Sequence, residues 1–388
     1  MIRRIFCALA GLALLAAPAS AADPVKIGMI TTLSGGGSGL GIDIRDGFRL
    51  AIDQEGGTLG GHAVELIVED DARKPDKARQ IADRMVERDR VDVMTGIVWS
   101  NLAIAVVPKV VRDGVFYVSP NAGPSLLAGK GCHENYFNVA WQNDNLHEAV
   151  GQYVKDEGYE SAFVLAPNYP AGHDAIAGFK RYYDGEIAGE VYTKLGQLDY
   201  AAEIAQIRAA EPDAVFFFLP GGMGISFIKQ YDQSGLRESV PLFGPAFSFD
   251  QTILGAVGDA ALGVVNSSQW SQDIDNVANE AFVADFKEAY GRLPSLYASQ
   301  GYDAARLIAS ALKATGGQVK DDMDAFREAL RAADFQSVRG DFAFGANHHP
   351  VQDIYMREVV KQDGVLTNRI TAKAFEDHKD AYVDECRM

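Results

Sequence analysis

Residues 25–57 constrain the fold more than any other stretch. An apolar run, Val25-Lys-Ile-Gly-Met-Ile30, leads into a glycine-rich turn, Leu33-Ser-Gly-Gly-Gly-Ser-Gly-Leu-Gly41. Ile44, Phe48, Ala51 and Ile52 then share one helical face. Strand, glycine loop and helix in that order open an α/β domain, with an anion-friendly crevice at the strand's carboxyl end. The glycines match neither phosphate fingerprint: there is no Gly-x-Gly-x-x-Gly here and no Gly-Lys-Ser/Thr after the loop. A small ligand held by backbone donors fits better than a nucleotide, and no cofactor is called for.

The rhythm repeats along the chain. Val64 to Val68 reads as a strand, and Ala78, Ile81, Ala82, Met85 and Val86 fall at helical spacing after Pro75. Val91-Asp-Val-Met-Thr, Val115-Phe-Tyr-Val-Ser, Ala162-Phe-Val-Leu-Ala and Ala214-Val-Phe-Phe-Phe-Leu are short buried-strand runs ending in turn residues. Leu146, Ala149, Val150, Tyr153 and Val154 form an amphipathic stripe between them. Such continuous apolar strands separated by helices predict parallel sheets covered on both faces. A second alternation starts near Tyr159, so the expectation is two doubly wound lobes rather than one very wide sheet. Residues 354–373 read as a β-hairpin turning at Asp363-Gly, an antiparallel addition at an edge.

Arg3 and Arg4, an apolar run from Ile5 to Ala17 and small residues at 19–22 read as a secretory signal peptide, residues 1–22. The expectation is an exported, periplasmic protein that does not insert into the membrane after cleavage. The whole chain has 36 Lys and Arg against 53 Asp and Glu, a formal net charge of -17, and loss of Arg3 and Arg4 makes it more acidic still. That balance argues against nucleic acid and anionic membrane surfaces as partners. Cys132 and Cys386 remain after the leader. In an oxidising compartment such a pair suggests a disulfide from a loop to the distant C-terminal tail, the alternative being two thiols.

No catalytic motif appears. Gly-x-Ser-x-Gly and His-Glu-x-x-His are absent, and His133-Glu134 and His147-Glu148 read as polar loop and helix-start residues. His348-His349 are adjacent on a loop and point different ways, which makes a poor metal site. The expectation is a protein that is not an enzyme and holds no metal.

Ile27-Gly-Met-Ile-Thr-Thr-Leu-Ser-Gly35, Gly47-Phe-Arg-Leu-Ala-Ile-Asp53, Gly60-Gly-His-Ala-Val-Glu-Leu66 and Glu69-Asp-Asp-Ala-Arg-Lys-Pro75 stand in order along the first part. Ser119-Pro-Asn-Ala-Gly-Pro124, Phe137-Asn-Val139 and Gln300-Gly-Tyr-Asp-Ala304 follow. Together they resemble type I periplasmic solute-binding proteins of ABC importers, in the branched-chain amino acid family, over essentially the whole mature chain. The resemblance implies two lobes joined by three hinge crossings, near Trp141, Asn266 and Phe344, with the ligand cleft between them. Residues 23–141 and 267–344 then form one lobe, residues 142–266 and 345–388 the other. It also implies a membrane permease as partner and hinge closure as mechanism.

Carried over position by position, the resemblance puts Ser100 in the carboxylate-binding place, helped by backbone groups at Asn121, Ala122 and Gly123. Ser100 also suits a helix N-cap. Gly123 stands where relatives often have Ser or Thr, and Tyr169 matches a ligand-flanking tyrosine. In Phe243-Gly-Pro-Ala-Phe247 the residue after Gly-Pro is Ala246, where amino-acid binders carry an acid for the ammonium. Leu40, Trp99, Phe247 and Tyr297 add apolar and aromatic walls, or ordinary core. The expected ligand is an aromatic or apolar carboxylate; an amino acid or amide remains the alternative, with Asp250 as replacement charge. A ligand-sensing module and a periplasmic hydrolase are the rival classes.

Overall fold

The computed structural model describes residues 23–388. The leader read at residues 1–22 lies outside the described residues. The chain builds two α/β lobes, each around its own sheet. The first sheet contains β1 (Val25–Thr31), β2 (Thr58–Leu59), β3 (His62–Asp70), β4 (Val93–Gly96), β5 (Phe116–Ser119) and β6 (Tyr136–Asn138), in the order β2-β3-β1-β4-β5-β6. All its pairings are parallel except β2 with β3. The second sheet contains β7 (Ser161–Pro167), β8 (Glu186–Thr193), β9 (Ala214–Phe217), β10 (Leu242–Pro245), β11 (Val265–Ser268), β12 (Ala343–Phe344) and β13 (Pro350–Gln362). Its order is β12-β13-β11-β10-β9-β7-β8, and β14 (Val365–His378) pairs antiparallel with β13.

Both sheets are doubly wound, and the strand order reverses once in each. In the first, β1 lies between β3 and β4; in the second, β7 lies between β8 and β9. The loops leaving β1 and β4, and those leaving β7 and β9, therefore diverge and leave a crevice at the strands' carboxyl ends. These two crevices face one another.

Apolar burial explains the layers. Ile27, Met29 and Ile30 of β1 are buried, as are Val164 and Leu165 of β7 and Val215, Phe216 and Phe217 of β9. The Ser38–Gln54 and Leu296–Thr315 helices pack against each other, and the second returns the chain to the first lobe after β11. Gly47 and Gly301 make that approach possible: a Cβ at Gly47 would lie 2.0 Å from Ala298 O, and one at Gly301 2.1 Å from Ile44 O.

The chain thus passes between lobes three times, and buried polar groups tie the crossings together. Arg339 donates to Ala140 O at 3.1 Å and to Gln352 Oε1 at 2.7 Å, while Gln352 Nε2 donates to Ala140 O at 2.8 Å. Asp303 balances the buried guanidinium at 3.1 Å. The hairpin expected near the C-terminus is β13–β14, turning at Asp363 and Gly364. A disulfide joins Cys132, before β6, to Cys386 in the tail after β14, with Cα atoms 5.6 Å apart.

Candidate functional site

The facing crevices meet around a small cavity of about 30 Å³. The first lobe contributes Leu40 after β1, Val98, Trp99 and Ser100 after β4, Asn121 and Ala122 after β5, and Tyr297. Opposite stand Tyr169 and Ala171 after β7, Phe218 and Pro220 after β9, and Phe247 after β10. Trp141, Asn143 and His147 line it from the first crossing and the helix that follows. A larger groove of about 1030 Å³ opens elsewhere, but its Arg292 is already committed to Asp43 and Asp46.

Two helices begin at this cavity, one from each lobe. The Ser100–Arg112 helix starts behind Trp99, and the Pro170–Tyr182 helix starts behind Tyr169; neither has a side-chain cap. In the first helix the Ser100 and Asn101 N–H groups are left for an external acceptor; in the second, Pro170 has no N–H and Gly172 and His173 donate to Tyr169 O, which leaves the Ala171 N–H. Ser100 Oγ accepts from Asn143 Nδ2 at 3.1 Å, so its own hydroxyl proton is free to donate. Burial pushes the phenols of Tyr169 and Tyr297 well up, which keeps both protonated. The backbone leading into Ser100 is unusual: Gly96 has φ 103 and Ile97 has φ 53, a left-handed conformation rare for a β-branched residue.

The walls are aromatic. Trp141 meets Phe247 edge-on at 4.6 Å, Phe218 meets Phe247 at 5.4 Å, and Tyr169 lies parallel to Phe218 at 6.3 Å between centroids. Trp99 is fixed by a bond from Nε1 to Thr32 Oγ1 at 3.0 Å, and Thr32 in turn donates to Asp71 at 2.8 Å. The glycine loop serves this ring: a Cβ at Gly37 would sit 2.6 Å from Trp99 Cζ2. The loop's role is close packing on an aromatic wall, and the helix termini facing the cavity are those at Ser100 and Pro170.

No carboxylate, lysine or arginine lines the cavity. Eight of the residues singled out from the sequence meet there: Leu40, Trp99, Ser100, Asn121, Ala122, Tyr169, Phe247 and Tyr297. Gly123 does not line it. Its N–H donates to Asn143 Oδ1 at 3.2 Å and its carbonyl accepts from Asn143 N at 2.8 Å, so its backbone is spent positioning Asn143. Ala246 is fully buried beside the cavity, outside its lining. Asp250 is not a counter-charge either. It caps the Gln251–Val257 helix through Thr252 N at 3.1 Å and accepts from Leu296 N at 2.9 Å. Burial, against those bonds, pushes it up to about 6.

His147 stands in the first turn of the Asn145–Asp156 helix, as the sequence suggests, and is also buried against Phe216, Phe218 and Phe247, where it lines the cavity. Burial pushes its imidazole down to about 3, and its Nδ1 has no partner. Asn143 was missed. The signal available was the Trp141-Gln-Asn-Asp-Asn-Leu-His147 run at the crossing, unusually polar for an α/β connection. His348 and His349 are buried among aromatic rings, His348 stacked on Phe137 at 4.1 Å. Among the described residues no cluster of three metal-ligating side chains occurs, and no helix is long and apolar enough to cross a membrane.

A family model described as periplasmic binding protein matches residues 24–364. The Leu/Ile/Val-binding protein homolog 6 of Brucella melitensis is 29% identical over 366 residues, covering 92% of this chain and 93% of that one. Among solved structures, a solute-binding protein of an ABC transporter from R. palustris in complex with benzoate superposes with a TM-score of 0.89 at 31% identity, over 94% of this chain and all of that one. One from Rhodopseudomonas palustris BisB5 in complex with 3,4-dihydroxybenzoic acid gives 0.85 at 32% identity, over 92% of this chain and 99% of that one. A leucine-binding protein from Thermotoga maritima shares the fold, with a TM-score of 0.79 at 21% identity, over 90% of this chain and 98% of that one.

Proposed function

The chain belongs to the periplasmic binding protein family, and from that premise we propose that it captures a benzoate-type aromatic carboxylate in the interlobe cavity and delivers it to an ABC permease. One observation carries the ligand class: aromatic walls with no charged lining residue converge with two uncapped helix N-termini and the Ser100 hydroxyl. A carboxylate finds donors from both lobes, and a flat ring finds faces and edges to pack on. An α-amino acid brings an ammonium as well. Left without a counter-charge in this cavity, it would cost several kcal/mol, and Asp250 is already engaged. The relatives with benzoate and 3,4-dihydroxybenzoate bound support the same choice.

The mechanism is closure. A ligand touching Ser100 on one lobe and the Ala171 end of the helix on the other binds the closed form better than the open one and shifts the equilibrium toward it. The ligand in this reading leaves unchanged, which fits a Ser100 hydroxyl bonded to the Asn143 amide rather than to a base. In this reading the protein works in the periplasm, and the permease meets its closed shape.

Calorimetric titration of the mature protein with benzoate, 4-hydroxybenzoate, leucine and isoleucine tests the proposal. The expected result is micromolar or tighter binding of a benzoate and little heat from either amino acid. Tight leucine binding with silence from the benzoates would overturn it.

A further inference from the structure

Arg73 stands in the Glu69-Asp-Asp-Ala-Arg-Lys-Pro75 motif, outside the cavity lining. Its backbone is held in the left-handed region at φ 59, directly after Ala72 at φ 50, by two acceptors: Asp70 takes Ala72 N at 2.9 Å and Asp71 takes Arg73 N at 2.8 Å. Two consecutive non-glycine residues in that conformation are uncommon and are held here by those bonds.

The half-buried side chain crosses the outer face of Trp99, with the guanidinium carbon 4.5 Å from the ring centroid. Its Nη1 donates to Gly36 O at 3.2 Å in the glycine loop. Its other end reaches the second lobe, where a Cβ on Gly196 would lie 3.5 Å from Nη2. Asp70 and Asp71 are occupied elsewhere, Asp70 by Ser34 Oγ at 2.6 Å and Asp71 by Thr32 Oγ1 at 2.8 Å. Among the described residues the guanidinium's own hydrogen bond goes to a carbonyl rather than a carboxylate. Its field extends across the cleft: burial and Asp174 push the Tyr169 phenol up, and Arg73 pulls against them.

We propose that Arg73 is a specificity-determining latch, which shuts the cavity over Trp99 by joining the two lobes and supplies the positive charge that draws an anion into an acidic protein. The inference rests on the reading of the ligand as a carboxylate. The physical need is plain: at a formal net charge of -17 the protein as a whole repels an anion, and the cavity lining holds no cation to offset that. A guanidinium on the outer face of an indole can provide the charge without entering the cavity. Modest neutral occupants gain the lid but not the attraction.

The test is stopped-flow uptake of benzoate, read by tryptophan fluorescence, for the wild type, Arg73→Gln and Arg73→Lys at low and at 0.5 M salt (roughly a 4–5 Å screening length). At low salt Arg73→Gln is expected to take up benzoate about three- to tenfold more slowly than wild type, and to release it faster. The uptake gap should close at high salt, and Arg73→Lys should restore uptake but not slow release. Equal uptake and release in wild type and Arg73→Gln would overturn the inference. So would faster release alone, with uptake and its salt dependence unmoved, since that marks a merely structural contact. Wild-type protein that ignores benzoate would sink the carboxylate reading, and this inference with it.

Discussion

Ser125 and Asp174 are joined twice across the cleft: the Ser125 amide donates to Asp174 Oδ2 at 3.1 Å, and its hydroxyl donates to Oδ1 at 2.7 Å. Ser125 opens a short helix just after the cavity loop of the first lobe, and Asp174 lies in the Pro170–Tyr182 helix of the second. Asn143 Nδ2 adds a bond to the same carboxylate at 2.8 Å while also holding Ser100. One carboxylate therefore links both lobes and the first crossing, next to the interlobe cavity.

Asp174→Ala should loosen the closed form without touching a cavity wall. Hydrogen bonds to a charged group are each worth about 1.5–3 kcal/mol, so ligand release should quicken by about tenfold or more. The ligand-free melting temperature should fall less than that implies, because the cost of burying this carboxylate, which pushes its pKa up, offsets part of what its bonds contribute. Release rates from a displacement experiment check this, and a release rate equal to wild type would show that the clasp does not hold the lobes shut.

Gly123→Ser distinguishes a missing ligand contact from a packing requirement. The resemblance to relatives that carry a hydroxyl there implies that serine adds a donor. The structure leaves it no room: a Cβ at Gly123 would lie 2.0 Å from Trp141 O and 2.7 Å from Asn138 Nδ2. The substitution should cost about 1–3 kcal/mol as overpacking does, and should weaken binding by displacing Trp141. A variant with wild-type stability and tighter carboxylate binding, measured by urea unfolding and calorimetry, would show that the loop can yield.

Legibility in the sequence followed burial. The runs at β7 and β9 could be read because strands covered on both faces must be continuously apolar. β8 was missed: it is an edge strand, Glu186-Ile-Ala-Gly-Glu-Val-Tyr-Thr193, half-exposed along most of its length. β11 was missed for another reason. Asn266, Ser267 and Ser268 are fully buried, but the partners of Asn266, Arg357 at 2.8 Å and Asn368 at 2.8 Å, are about a hundred residues away, and Ser267 donates to Leu146 O at 2.6 Å, 121 residues away. The cavity showed the same division. Trp99, Ser100 and Tyr169 sit at strand-to-helix turns that the pattern exposes, whereas Asn143 and His147 gain their place only when the first crossing folds back between the lobes.

The disulfide offers a separate check on the tail. Cys132 and Cys386 are 254 residues apart, so the closed loop spans most of the chain. The native tail is also held by Tyr382, whose hydroxyl donates to Asp144 at 2.9 Å, and by Asp380, which accepts from Asn347 at 2.9 Å. A loop of this size predicts a loss of about 3–5 kcal/mol in Cys386→Ser through the entropy of the unfolded chain. Urea unfolding of the two proteins measures it. Equal stability, or a non-reduced wild-type mass matching two free thiols, would remove the bridge from the account.

His147 predicts an acid-sensitive fold. Its ring is fully buried among Phe216, Phe218 and Phe247, and burial pushes its pKa down to about 3, from a model-peptide value of 6.5. Because the folded value is the lower one, the unfolded chain takes the proton first. The stability this neutral ring allows is present in full above pH 6.5 and is lost as the pH falls from there toward 3. At about 1.4 kcal/mol per pKa unit, a drop from pH 7 to 4.5 should cost about 2–3 kcal/mol through this residue. Asp144 works in the opposite sense: burial, then the nearby Asp174 charge, pushes it up to about 7, so stability from that group falls as pH rises from 3.8 toward 7. That contribution is shared by wild type and His147→Gln and cancels in their difference. Urea unfolding of both proteins at pH 7 and 4.5 should therefore show the wild type losing about 2–3 kcal/mol more than the variant. Parallel losses would mean that the buried imidazole accepts its proton in the folded state, and that the cavity around it is wetter than its aromatic walls imply.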